Sequence, residues 1–284
     1  MKGFAAVSRA LAGIAVLALV VPAVAQEAPG AQSAEARPDI TKPMTNIPRA
    51  TRYQAVTSLP DLTGIWYPDW RALFSERRTP MKLTPASQAK LDAWNEKYKD
   101  TGPPLYAQAH CLPPGLPGLM QQPYPIEISY QPEKVLLYTE AYQQARMFYT
   151  DGRALPDDPD LFFNGSSVAH WEGDVLVVDT VGFSLQTSLA SGVPHSDKMR
   201  VRERFYLATP DLLIDEMTIT DPEVLAEPWV TRLAFKRDTV PLREYVCAEN
   251  NRLTTDDEAG ANVDLELERD PRNADDPFGP PVRD

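Results

Sequence analysis

Four residues in this chain have the types and placement that proton-transfer chemistry needs: Arg146, Asp179, His195 and Glu203. From Met199 to Leu207, alternate residues are Met199, Val201, Glu203, Phe205 and Leu207. An extended strand therefore puts a carboxylate on an apolar face. Val175, Val177, Asp179 and Val181 repeat the pattern one segment earlier. A carboxylate in such a place needs a cation, a donor or a raised pKa. If the two segments pair antiparallel, Asp179 and Glu203 fall toward one end of a sheet, and the joining stretch 182–198 brings His195 to the same mouth. His195 would act as base or acid and a carboxylate would orient it. Arg146, which shares a strand face with Phe148, would meet a developing oxyanion. Such a set suits elimination, isomerisation or hydrolysis of a small, partly apolar and aromatic molecule, without a cofactor. Trp171, Trp229, Tyr149 and Phe205 are the aromatic side chains expected to line the cavity for that substrate.

A plainer reading competes at every position. Asp179 and Glu203 can be ion-paired with Arg146, Arg202 or Arg204, His195 can cap a loop, and the aromatics can fill a core. On that reading the protein is a binding protein holding an apolar ligand without chemistry, or an envelope protein working through its surface. The three histidines, His110, His170 and His195, show none of the spacings of a metal site, and no metal is expected. P-loop, dinucleotide-binding and nucleophile-elbow motifs are also missing from the sequence.

The elements that must position these residues are mostly strands. Val135–Tyr138, Arg146–Tyr149, Val168–Trp171, Val175–Val178, Met199–Leu207, Leu212–Asp221, Trp229–Phe235 and Glu244–Cys247 recur with short connections. Gly173-Asp174 and Thr209-Pro210-Asp211 mark tight turns between them. This pattern predicts an antiparallel barrel or a strongly curved meander sheet of about eight strands, because long open edges are hazardous. One helix precedes it: Thr84 caps, Pro85 suits the first turn, Leu91, Trp94 and Tyr98 share a face, and Gly102 ends it. The Pro/Gly-rich stretch from Cys111 to Pro125 is expected to cover one end of the core.

The flanks frame this domain, which is expected over 59–254. Residues 1–25 combine Lys2 and Arg9, an apolar run from Ala10 to Val21, and Ala23-Val24-Ala25. That is the pattern of a signal peptide cleaved after Ala25, which predicts a periplasmic or secreted protein with no membrane span after processing. Residues 26–58 read as an extended linker. Residues 255–284 hold ten carboxylates and three arginines and read as a disordered acidic tail. The 284-residue precursor carries a net charge of −12, which becomes −14 without the leader and makes nucleic acid a poor partner. Export also separates the protein from cytoplasmic NAD and ATP, and it turns Cys111 and Cys247 into an expected structural disulfide.

Two motifs carry resemblances. Gly64-Ile65-Trp66, ahead of the strands, resembles the Gly-x-Trp opening of lipocalin-type barrels. The run from Trp171-Glu172-Gly173-Asp174 through Val177-Val178-Asp179-Thr180 to Gly182-Phe183 is more specific. With Cys111-Leu112-Pro113-Pro114-Gly115 and Glu244-Tyr245-Val246-Cys247, it resembles a family of exported, uncharacterised bacterial proteins. The first resemblance implies a lipocalin-like barrel; the second implies export and carries no activity.

Overall fold

Alternating apolar residues and two-residue turns build most of the fold. The computed structural model describes residues 56–69, 71, 80–104, 107 and 110–247, with the backbone of 253–256 and 260–263. The expected leader and its cleavage point, most of the expected linker and most of the acidic C-terminal segment lie outside the described residues.

The strands are β1 (Gly64–Pro68), β2 (Ile126–Gln131), β3 (Lys134–Thr139), β4 (Gln144–Tyr149), β5 (Ser166–Glu172), β6 (Val175–Val181), β7 (Ser188–Ala190), β8 (Val193–Pro194), β9 (Arg200–Thr209), β10 (Leu212–Thr220) and β11 (Trp229–Asp238). Nine of them close a barrel in the order β1-β11-β10-β9-β6-β5-β4-β3-β2. The expected mainly β barrel with one helix is therefore the observed architecture. An odd number of strands cannot alternate direction all the way round a ring. One neighbouring pair must run parallel, and here it is β4 with β5. A parallel pair needs a crossover, which residues 150–165 supply. The hairpin β7–β8 stands outside the barrel.

The predicted turns are present. Glu172 pairs with Val175 across Gly173-Asp174, where Gly173 has φ +59°. The helix α1 (Pro85–Lys97) begins as expected, with the Thr84 side chain accepting from the Ser87 N–H. The rings of Trp94 and Tyr98 meet at a tilt with centroids 4.5 Å apart, and Gly192 in the β7–β8 turn lies under Trp94, where a Cβ would approach the indole to 2.6 Å. The Pro/Gly-rich stretch buries Leu116, Leu119 and Met120 against the core. Cys111 and Cys247 form a disulfide with Cα atoms 5.6 Å apart.

Two expectations change. Residues 244–247 form no strand: the bridge to Cys111, rather than a ladder, ties them down. The segment taken as a disordered tail begins with strand pairing, since β12 (Leu253–Asp256) pairs antiparallel with β13 (Gly260–Val263). Within the described residues, no helix is long and apolar enough to cross a membrane.

The Gly64-Ile65-Trp66 motif closes the seam between the first and last strands. Trp66 is fully buried and donates its indole N–H to Leu62 O at 2.9 Å. Arg237 from β11 lies over its ring at 4.2 Å and donates to Thr63 O and Asp61 O. Gly64 has φ +104°, and a Cβ there would meet the Arg237 guanidinium at 3.3 Å. Tyr130 braces the same segment, donating to Pro60 O and accepting from the Leu62 N–H. Burial pushes its phenol up to about 12.

Candidate functional site

The residues predicted to form one catalytic group are placed in three environments. Glu203 does face the interior, because the inward set of β9 is Val201, Glu203, Phe205 and Leu207. Arg146 faces it from β4 across the barrel. Arg146 Nη1 donates to Glu203 Oε1 at 2.8 Å and Nη2 to Oε2, a bidentate pair with both side chains excluded from solvent.

Asp179 does not join them. Val178 pairs with Glu203 and so faces inward, which turns Asp179 to the outer face. There it accepts two hydrogen bonds from Arg202. The alternation misleads because β6 is apolar on both faces: Leu176, Val177, Val178 and Val181 are all buried. His195 is buried but satisfied locally. Its Nδ1 lies 2.9 Å from Ser196 O, its Nε2 lies 2.8 Å from the Thr187 hydroxyl and 3.1 Å from Ser184 O, and Phe183 packs edge-on. Asp179, His195 and Glu203 share no hydrogen-bond partner, so they do not assemble one mouth.

The cavity-lining set also separates. Phe205 stacks on Phe148 inside a filled core, Trp229 is 7% exposed in that core, and Trp171 meets Tyr130 edge-on. Of the four aromatics, Tyr149 lines the cleft described below.

One interior residue was missed. The inward face of β10 reads Leu213, Asp215, Met217, Ile219, the same alternation that marked Glu203. Asp215 is fully buried, and neither carboxyl oxygen has a hydrogen-bond partner. Burial, reinforced by the Glu203 carboxylate, holds it well above the usual carboxylate range, while Arg146 acts in the opposite sense. Arg146 Nε and Thr231 Oγ1 are likewise buried without partners. The barrel thus encloses an ion pair, a carboxyl group with a raised pKa and orphaned polar atoms.

The seam between β4 and β5 opens beside Arg146. The two strands are paired only at Phe148–Ser167 and Tyr149–Val168, whereas β3 and β4 share six paired positions. Beyond those pairs, Gln144–Met147 and residues 163–166 flank a cleft of about 580 Å³. Its apolar wall is Met147, Tyr149, Leu155, Pro156, Phe162 and Phe163. Gln144, Arg146, Asn164, Ser166 and Ser167 are the polar lining, and Arg153 stacks on the Tyr149 ring at 3.8 Å. Gly165 permits this geometry: its φ is +66°, and a Cβ would come within 2.6 Å of Val181 O. Met147 and Phe162 remain 44% and 54% exposed. No cluster of three or more metal-ligating side chains occurs among the described residues.

No protein-family model and no curated protein sequence matches this chain. A solved structure of a mutant of the fluorescent protein UnaG is similar over 63% of this chain and 97% of that one, with 14% identity and a TM-score of 0.30. The architecture rests on the strand pairing itself.

Proposed function

We propose that this protein is an exported binding protein that holds a small, partly apolar and aromatic molecule in the cleft between β4 and β5. The observation that carries this reading is the cleft. It falls within the roughly 300–1,000 Å³ typical of ligand sites, has aromatic walls, and has a few polar residues in its lining. The leader pattern and the Cys111–Cys247 bridge support export to an oxidising compartment. The acid–base reading required Asp179, His195 and Glu203 at one mouth; their separation leaves it without a geometric basis.

The test uses N-phenyl-1-naphthylamine, a neutral fluorescent probe. Saturable one-site binding is expected, weakened at least tenfold by Phe162→Asp or Met147→Glu, which put a charge on the apolar wall. Equal binding by both variants and the unmodified protein would move the site elsewhere, and absence of binding would refute the reading.

A further inference from the structure

The methionines of this chain differ sharply in their access to solvent. Met120, Met199 and Met217 are buried in the core, and Met81 packs against it. Met147 is 44% exposed. It lies on β4 two residues from Tyr149, so both side chains share one face of the strand, and both line the β4–β5 cleft. The Tyr149 hydroxyl donates to the Met147 sulfur at 3.9 Å, a weak bond because a thioether is a poor acceptor. Met1 and Met44 lie outside the described residues.

The chain has two cysteines, and both are joined in the Cys111–Cys247 bridge, so no free thiol competes for an oxidant. The thioethers are then its readiest targets for a peroxide. Core packing shields three of them, and Met147 is the one that solvent reaches freely among the described residues.

Resting on the binding function proposed above, we propose that Met147 is a redox-modification site, and that its oxidation to the sulfoxide by a peroxide closes the cleft to apolar ligands. The sulfur lone pair attacks one oxygen of hydrogen peroxide and the O–O bond breaks. The departing hydroxide takes the proton from the oxygen that stays on sulfur, leaving an S=O group and one water. Sulfur gives up two electrons and the peroxide accepts them. The product keeps the length of the side chain but gains a dipole and a strong acceptor oxygen. That oxygen bonds water or the neighbouring Tyr149 hydroxyl far better than the thioether did. A ligand's apolar body must break those bonds to lie against this wall, and it offers none in exchange.

The test treats the full chain with dilute hydrogen peroxide at neutral pH. Peptide mass spectrometry reads the sulfoxide fraction at every methionine, and N-phenyl-1-naphthylamine is titrated into the same samples. Met147 is expected to oxidise about tenfold or more faster than Met120, Met199 and Met217. Dye affinity should fall about tenfold, equivalent to losing one apolar side chain's contact, and in step with the Met147 sulfoxide fraction. In Met147→Leu, which has no sulfur there, the affinity should be the same before and after peroxide, whatever its starting value. Met147 reacting no faster than the core methionines would overturn the modification site. Unchanged binding with Met147 fully oxidised, or an equal loss in Met147→Leu, would overturn its control of the cleft. Should the untreated protein fail to bind the dye, the binding function falls and this control with it, a result separate from the peptide measurement. The site-by-site comparison on the unmodified protein decides the matter even if Met147→Leu does not fold.

Discussion

Replacing Glu203 by Gln should cost less than breaking a buried ion pair normally does, because Asp215 is positioned to substitute for it. Removing one member of such a pair costs about 3–5 kcal/mol, since the other charge is left buried and alone. Here the lone charge would be Arg146. Asp215 faces the same interior one diagonal step from Glu203: Glu203 is opposite Met217, and Asp215 is opposite Phe205. Diagonal neighbours on one sheet face lie about 7–8 Å apart, within the range of charged side chains. Neutralising Glu203 removes one of the two main influences that raise the Asp215 pKa and leaves the lowering influence of Arg146. Asp215 can then ionise and supply the missing charge. The expected cost is about 1–2 kcal/mol for Glu203→Gln alone and about 3–5 kcal/mol when Asp215→Asn is present as well. Asp215→Asn alone should be neutral or stabilising, so the coupling is about 2 kcal/mol, within the range for residues in one network. Urea unfolding followed by tryptophan fluorescence at pH 7 measures all four proteins. A pH series gives a second check. The folded Asp215 pKa is raised above its ordinary value of 3.8, so the unfolded chain releases the proton first. This group imposes no penalty below that value, and stability falls as pH rises toward the folded pKa. Asp215→Asn should remove that part of the slope. Additivity within about 0.5 kcal/mol, or an unchanged slope in Asp215→Asn, would refute the coupling.

Two other outcomes follow from the placement of side chains. His195→Ala should lose about 1–3 kcal/mol of stability, because it removes the imidazole's hydrogen bonds in the loop and its packing against Phe183, while dye binding at the β4–β5 cleft stays unchanged; intact stability with lost binding would return His195 to a functional role. Reducing Cys111–Cys247, or replacing both residues by Ser, should lower stability by up to about 5 kcal/mol in the chain-entropy model, because the bridge spans 136 residues; a urea midpoint indifferent to reductant would contradict this.

Much of the barrel was legible before any coordinates. Alternation marked β9, β10 and β11, the turns at Gly173-Asp174 and Pro210-Asp211 were marked by their residue types, and the Thr84 cap located α1. The helix, hairpins and disulfide depend on local chemistry or on one covalent pairing, which residue types announce. Glu203 on an apolar face was legible for the same reason, and Asp215 was equally so had β10 been read face by face. Residues 244–247 looked like a strand because Tyr245, Val246 and Cys247 are side chains that favour strands. They have no neighbour to pair with, and pairing is not a local property.

The sequence by itself determined which side chains alternate, and so that a carboxylate must enter the barrel on β9. It could not determine which face of β6 points inward, because Leu176 through Val178 are apolar on both sides; only the register against β9 turned Asp179 outward. Nor could it foresee the cleft. An odd ring of strands forces one parallel pair, and the crossover through 150–165 leaves that pair joined at only two positions. Closure of the ring, a property of all nine strands together, is what opens the seam that Tyr149, Asn164 and Arg146 line.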